Sequence, residues 1–169
     1  ILIIGESIKD VFIPVEYQGN SMKSFCSVVR EIPSIESSIQ SGGAAVIQRH
    51  LQDFVDVVDI VTNDLDDIVK SRYYDIKSKV NHFEINKFNL KQTLSSFKIN
   101  YSNYDLIIVA DFGHGFIDNL EQSENMCFMA QTNSHNFGYN RISKWKEINK
   151  KYVCIDHREA KLQLKNNSN

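Results

Sequence analysis

The sequence predicts an α/β fold with a mainly parallel central sheet, and three observations carry that expectation. Short apolar, β-branched runs recur along the 169 residues with the length of strands buried on both faces. Helix-forming stretches lie between some of them, as parallel connections require. Two polar–apolar alternating segments break the rhythm, as strands with one wet face do.

In chain order, Ile1 to Ile4 opens as the first buried strand, followed by Gly5-Glu6-Ser7-Ile8-Lys9-Asp10. Cys26 to Ile39 is the first alternating segment. Ala44 to Phe54 reads as a helix whose apolar stripe is Ala44, Ile47 and Leu51. Val57 to Val61 is the second buried strand. From Thr62 to Ile68 the connection is too short for a parallel crossover of about a dozen residues, so it leads to a separate flap or residues are absent there. Ile68 to Phe88 is the second alternating segment, with Val69-Lys70-Ser71-Arg72-Tyr73 and His82-Phe83-Glu84-Ile85-Asn86 as its clearest stretches. Leu90, Leu94 and Phe97 then predict a helix over Asn89 to Phe97. Leu106 to Ala110, Met126 to Ala130 and Tyr152 to Ile155 complete the strands.

Composition sets limits. Hydrophobic residues are 42% and charged residues 24%, which excludes disorder as the default state. No apolar run reaches the roughly 20 residues of a membrane-spanning helix. Nineteen basic against 21 acidic residues, net charge -2, argue against a nucleic-acid partner held by bulk electrostatics. Cys26, Cys127 and Cys154 show no disulfide or zinc spacing and fit free thiols in the cytoplasm. The chain opens inside a strand without Met or a leader pattern and closes on a polar run. It reads as a piece of a longer protein.

Candidate chemistry gathers at strand ends, where open α/β sheets bind ligands. Asp10 follows the first strand, though an acid there also serves as a turn or cap. Gly42 and Gly43 open the Ala44 helix; paired glycines allow close backbone approach, or simply make a turn. Asp111-Phe112-Gly113-His114-Gly115 ends a buried strand. Asp111 suits a sugar hydroxyl or a cation, the two glycines let amides approach an anion, and His114 is a donor to phosphate or a solvated loop histidine. Gln131, Asn133 and Asn136 belong to an amide-rich stretch that suits a polyhydroxylated ligand or a plain surface loop. Asp156 and Glu159 share a face at one helical turn and can position hydrated magnesium near phosphates, or mark an acidic helix start.

Taken in order, these segments resemble the PfkB-type (ribokinase-like) carbohydrate kinases, most nearly the sugar-phosphate kinase domains of ADP-heptose synthase-like bifunctional proteins. Ile1 to Asp10 is similar to the first strand ending in G-[DE]-x-x-x-D, Ser41 to Ala45 to the di-glycine substrate segment, and Asp105 to Gly115 to the D-[YF]-G-[KH]-G strand end. Gln131 to Asn140 and Tyr152 to Glu159 resemble the amide-rich loop and the N-x-x-E segment. The resemblance implies a three-layer αβα sandwich with a small β lid from segments of about 11–40 and 68–88. It implies transfer of the ATP γ-phosphoryl group to a sugar hydroxyl, a sugar or heptose-phosphate-like substrate, and dimerisation through the lid. Asp10, Gly42, Gly43 and Asp111 would hold the sugar, and Glu159, beside Asp156, would act on magnesium through water.

Three positions depart from the pattern. Ile47, beside Gln48, stands where Asn is usual; His114 stands where Lys is common; Asp156 replaces Asn. The G-A-G-D segment that supplies the catalytic base, and the adenine pocket, have no counterpart in these residues. The chain is therefore expected to be the N-terminal, substrate-binding part of one such kinase domain and inactive alone. The rival is a non-catalytic sugar-binding or assembly domain of the same fold. Whether the reading frame continues into a G-x-G-D segment discriminates the two.

Overall fold

The computed structural model describes residues 1–130, 151–153, 157, 160 and 161. Two five-stranded sheets organise them. The first contains Leu2–Gly5 (β1), Asp59–Val61 (β5), Ile107–Asp111 (β8), Met126–Ala130 (β9) and Lys151–Val153 (β10). All its pairings are parallel, in the order β10-β9-β8-β1-β5. The second contains Ser7–Asn20 (β2), Ser27–Glu31 (β3), Ser38–Gly43 (β4), Ile68–Asp75 (β6) and Asn81–Phe88 (β7).

β1 lies between β5 and β8, so Leu2, Ile3 and Ile4 are buried whichever way they point. Each such side chain contributes about 1.5–3 kcal/mol by leaving water. Alternation splits them between two cores. Ile3 packs with Ala44 and Val58, against which Ile47, Leu51 and Ile108 lie, so the helix Ala44–Leu51 (α1) covers that face. Leu2 and Ile4 join Ile107, Val109, Leu94, Phe116, Ile117 and Met126 on the other.

That second face is covered differently from the expectation. Asn89 to Phe97 is not an α-helix; only Leu94–Ser96 forms a 3-10 turn. The spacing of Leu90, Leu94 and Phe97 does report burial, since all three join the core around Phe116. The polar residues between them decide the conformation. Thr93 and Ser95 hydroxyls and the Ser95 N–H all donate to the Asp118 carboxylate, an alternative to helical bonding supplied from more than twenty residues away. The predicted helix to Phe54 also ends early, at Leu51, and Phe54 is exposed.

The short connection after Thr62 is explained by its destination. β5 belongs to the first sheet and β6 to the second, so no parallel crossover is made there. Buried Asn63 secures this exit, accepting the Ser7 N–H at 2.9 Å and donating to the Ser7 carbonyl at 3.0 Å.

β2 is the spine of the second sheet. It pairs antiparallel with β4 from Ser7 to Phe12 and with β3 from Val15 onward, and parallel with β6 on its other edge. Pro14 falls where β4 has ended and β3 has not begun. Val15 gives its carbonyl to Ile76 on the β6 side, so Pro14 turns its missing N–H toward that gap.

Register sorts the second sheet into two faces. One carries Asp10 and Phe12 of β2, Lys70 and Arg72 of β6, and Glu84, Asn86 and Phe88 of β7. The opposite face carries Val11, Ile13, Ile39, Val69, Tyr73, Phe83 and Ile85. The polar face looks toward the carboxyl edge of the parallel sheet, because Phe88 contacts the His114 ring in the loop after β8.

Candidate functional site

The carboxyl edge of the parallel sheet is organised by a residue the sequence reading did not single out. Glu6 follows β1 and is fully buried. Its carboxylate accepts the backbone N–H groups of Phe112 at 2.6 Å, His114 at 2.8 Å and Phe116 at 3.2 Å. Gly113 and Gly115, at φ 77° and 98°, let the loop curl so that these amides converge. The anion this loop cradles is therefore the chain's own. Three backbone donors make a buried carboxylate tolerable. The available signal was an acid directly after a buried strand, paired with a doubly glycine-bracketed loop more than a hundred residues away.

Glu6 also fixes the di-glycine turn. Its carbonyl accepts the Ala44 N–H at 2.8 Å, so the amide expected to be open at the start of α1 is used within the fold. Gly43 has φ 62° and ψ -138°, and a Cβ there would lie 2.0 Å from the Glu6 carbonyl oxygen. Gly42 makes room for Asp10: a Cβ would approach Asp10 Oδ2 to 2.9 Å.

Asp10 lies on the polar face of the second sheet, mostly shielded from solvent, with its Oδ1 paired to Arg72. Arg72 binds Glu84 through Nε at 2.9 Å and places its guanidinium 5.4 Å over the Phe12 ring. One oxygen of Asp10 is thus anchored by a cation that is itself held in place, while the other faces Gly42. Lys70 is the cross-strand partner of Asp10. Burial pushes its ammonium pKa down, against the opposing pull of Glu84, Asp10 and Glu6. Both cations had been read only as the wet face of an alternating strand.

Asp111 ends β8, buried, and accepts the Gly113 N–H at 3.0 Å. The His114 side chain is 1% exposed, with Nδ1 3.5 Å from Glu6 Oε2 and its ring 5.2 Å from that of Phe88. That distance is within ion-pair range for a protonated ring, and among the described residues neither ring nitrogen has a hydrogen-bond partner. The solvated-loop alternative for His114 does not hold.

Asp10, Gly42, Gly43, Asp111, Gly113 and His114 are therefore brought to one region, between the second sheet's polar face and the parallel sheet's edge. Gln131, Asn133, Asn136, Asp156 and Glu159 lie outside the described residues. Among the described residues no three His, Cys, Asp or Glu side chains are grouped to hold a metal ion. No described helix is long and apolar enough to cross a membrane.

A parallel sheet joined to a second sheet that faces its carboxyl edge is the layout of the ribokinase-like fold. The nucleoside kinase of Methanocaldococcus jannaschii, described as an archaeal member of the ribokinase family, is similar, with a TM-score of 0.57 and 11% identity over 97% of this chain and 63% of that one. Ribokinase from Cryptococcus neoformans, solved with ADP, aligns with a TM-score of 0.45 and 11% identity over 96% of this chain and 60% of that one. A carbohydrate kinase from Agrobacterium tumefaciens aligns with a TM-score of 0.40 and 9% identity over 77% of this chain and 52% of that one. The chain thus spans less than two thirds of these neighbours' lengths. No family model and no curated protein sequence matches it.

Proposed function

We propose that the chain is the sugar-binding portion of a cytoplasmic ribokinase-type carbohydrate kinase, with the second sheet as its lid. The observation that carries this reading is Asp10. Arg72 holds one carboxylate oxygen and leaves the other beside Gly42, opposite the loop knotted at Glu6. An acceptor fixed in that way suits a sugar hydroxyl, because its orientation is set before the ligand arrives. Asp111 and His114 come from the facing edge, where their buried side chains would back the same site rather than project into it. The resemblance extends the reading to a sugar phosphate of the heptose kind. It assigns ATP and magnesium to the complete protein, where ATP is the phosphoryl donor and the ion offsets phosphate charge. The apolar lid face, with Ile39, Phe83 and Ile85 exposed, suits a second copy of the chain.

The second reading is a non-catalytic sugar-binding or assembly domain. It is favoured by the same contacts, since Arg72 on Asp10 and the loop amides on Glu6 also serve stability without any ligand.

Thermal unfolding of the full-length protein with sugars and sugar phosphates tests the proposal. A ligand at 100 times its Kd adds about 2.7 kcal/mol, and Asp10→Asn should remove the shift. No shift with any sugar, from folded protein, would contradict a sugar site. A shift without ATP-dependent phosphoryl transfer would favour the second reading.

A further inference from the structure

The turn between β2 and β3 holds two large apolar side chains in water on a fixed frame. Residues 21–26 are fastened from within. The Ser21 N–H donates to the Cys26 carbonyl at 2.8 Å and the Phe25 N–H to the Ser21 carbonyl at 3.0 Å, while the Ser21 hydroxyl accepts the Lys23 and Ser24 N–H groups. On this frame Met22 is 92% and Phe25 93% exposed. Phe25 also stands at φ 51°, in the left-handed region that glycine and asparagine enter readily and a bulky aromatic does not. Neither burial nor backbone preference accounts for Phe at this position, and strain kept in place points to a use for the side chain.

Three features select the partner. The amides just named already have acceptors, so they can leave water at little cost. Between Tyr17 and Val29 the one charged residue is Lys23, set between the two apolar side chains. Its long stem lets the ammonium stay at a polar boundary while its neighbours go deeper. Behind the tip, Glu16 is held by both Arg30 and Lys77, and Lys79 is exposed on the adjoining turn 76–80. Across this end of the sheet Lys23, Arg30, Lys77 and Lys79 stand against Glu16, Glu31 and Asp75, of which Asp75 is buried beneath the amides it accepts. The outermost charge is therefore positive. The third feature is size. A stable protein interface takes roughly 20–30 residues a side, whereas the tip is a single short turn. A lipid surface asks only for apolar side chains that enter and a cation level with the headgroups.

We propose that the β2–β3 tip docks on the surface of a phospholipid bilayer, with Met22 and Phe25 entering below the headgroups and Lys23 level with their phosphates. β2 runs 14 residues from the edge of the parallel sheet to the tip, roughly 45 Å at full extension, so docking there does not cover the cleft. Two side chains give weak, reversible attachment, on the scale of one acyl chain at about 10⁴ M⁻¹. Docking is independent of sugar binding, which the variants below should leave unchanged.

Co-sedimentation of the full-length protein with vesicles tests this, using phosphatidylcholine alone and a mixture of phosphatidylcholine with phosphatidylglycerol. The protein should bind both at millimolar lipid, and the anionic mixture more tightly. Met22→Ser with Phe25→Ser should weaken binding to both by about tenfold or more. Lys23→Glu should weaken binding to the anionic mixture by about threefold or more and leave phosphatidylcholine binding nearly unchanged. Phe25→Trp should still bind, and its emission, less that of the parent, should shift to the blue when vesicles are added. An unchanged thermal midpoint shows that each variant is folded, and Phe25→Asn replaces the double variant where that one is not. No sedimentation of the folded parent with either vesicle, or binding that survives loss of both apolar side chains, would overturn the proposal. So would a parent that ignores vesicles and instead associates through this tip with a protein, a second copy included.

Discussion

Replacing Glu6 by Gln isolates the contact on which the site's architecture depends. The substitution keeps shape and volume but removes the charge and turns one acceptor into a donor. In the best orientation the amide oxygen keeps the bonds from His114 and Phe116, and its NH2 then meets the Phe112 N–H now received at 2.6 Å. A lost hydrogen bond to a charged group is worth about 1.5–3 kcal/mol, and the two retained bonds weaken as their acceptor becomes neutral. Relief from burying a charge acts in the opposite direction. The buried amides persist in either case, so loss should win, by about 2–4 kcal/mol. For a chain of this length that corresponds to a midpoint lowered by roughly 5–15 °C. Urea unfolding followed by far-UV circular dichroism measures the global effect. Amide exchange at Phe112 measures the local one and should accelerate by about 30-fold or more. Stability within 0.5 kcal/mol of the parent, with the Phe112, His114 and Phe116 amides still protected, would refute the account of the knot.

Gly43→Ala should cost about 2–4 kcal/mol from a positive φ and a clash with the Glu6 carbonyl, whereas Gly19→Ala, with φ 99° and nothing within 4 Å, should cost only the backbone strain of about 1–2 kcal/mol; equal losses in urea would contradict this. Asp75 accepts N–H groups from Tyr17, Ser78 and Lys77, and those bonds, Tyr17 foremost, hold its carboxyl well below its ordinary value of 3.8. Its contribution is therefore fully present above about pH 4 and lost as pH falls through the lowered value. Asp75→Asn should be less stable at neutral pH and show a shallower loss below pH 4; parallel pH curves would remove Asp75 as the cause. Phe83→Glu or Ile85→Glu should convert a dimer to a monomer in light scattering, and a parent protein that is monomeric at high concentration would contradict the lid interface.

The strands of the parallel sheet were legible because double burial leaves an unmistakable run of β-branched residues, as in Ile1 to Ile4 and Leu106 to Ala110. The second sheet was legible from the alternation of Lys70 and Arg72 with Val69, Ser71 and Tyr73. Leu90, Leu94 and Phe97 show where such reading fails: helical spacing marked residues that are buried, but Asp118, remote in sequence, captured the intervening hydroxyls. The site was legible as far as residue types at strand ends allow. Asp10 and the di-glycine could be found because an acid and paired glycines are local signals. Glu6 stands in the matched G-[DE]-x-x-x-D ending, but its role was not legible, since its three partners lie over a hundred residues away and are backbone amides, which have no identity in a sequence. Lys70 was hidden because alternation says which face a residue occupies but not whether that face meets solvent or a cleft.

The central claim is that the polar face of the lid and the carboxyl edge of the parallel sheet bind one ligand together. Hydrogen exchange followed by mass spectrometry, on the full-length protein with and without a saturating sugar or sugar phosphate, tests it most directly. Protection should rise together in segments 7–12, 68–74 and 111–116, and vanish together in Asp10→Asn. Protection of only one of these surfaces, or saturable binding that protects none of them, would contradict a shared site.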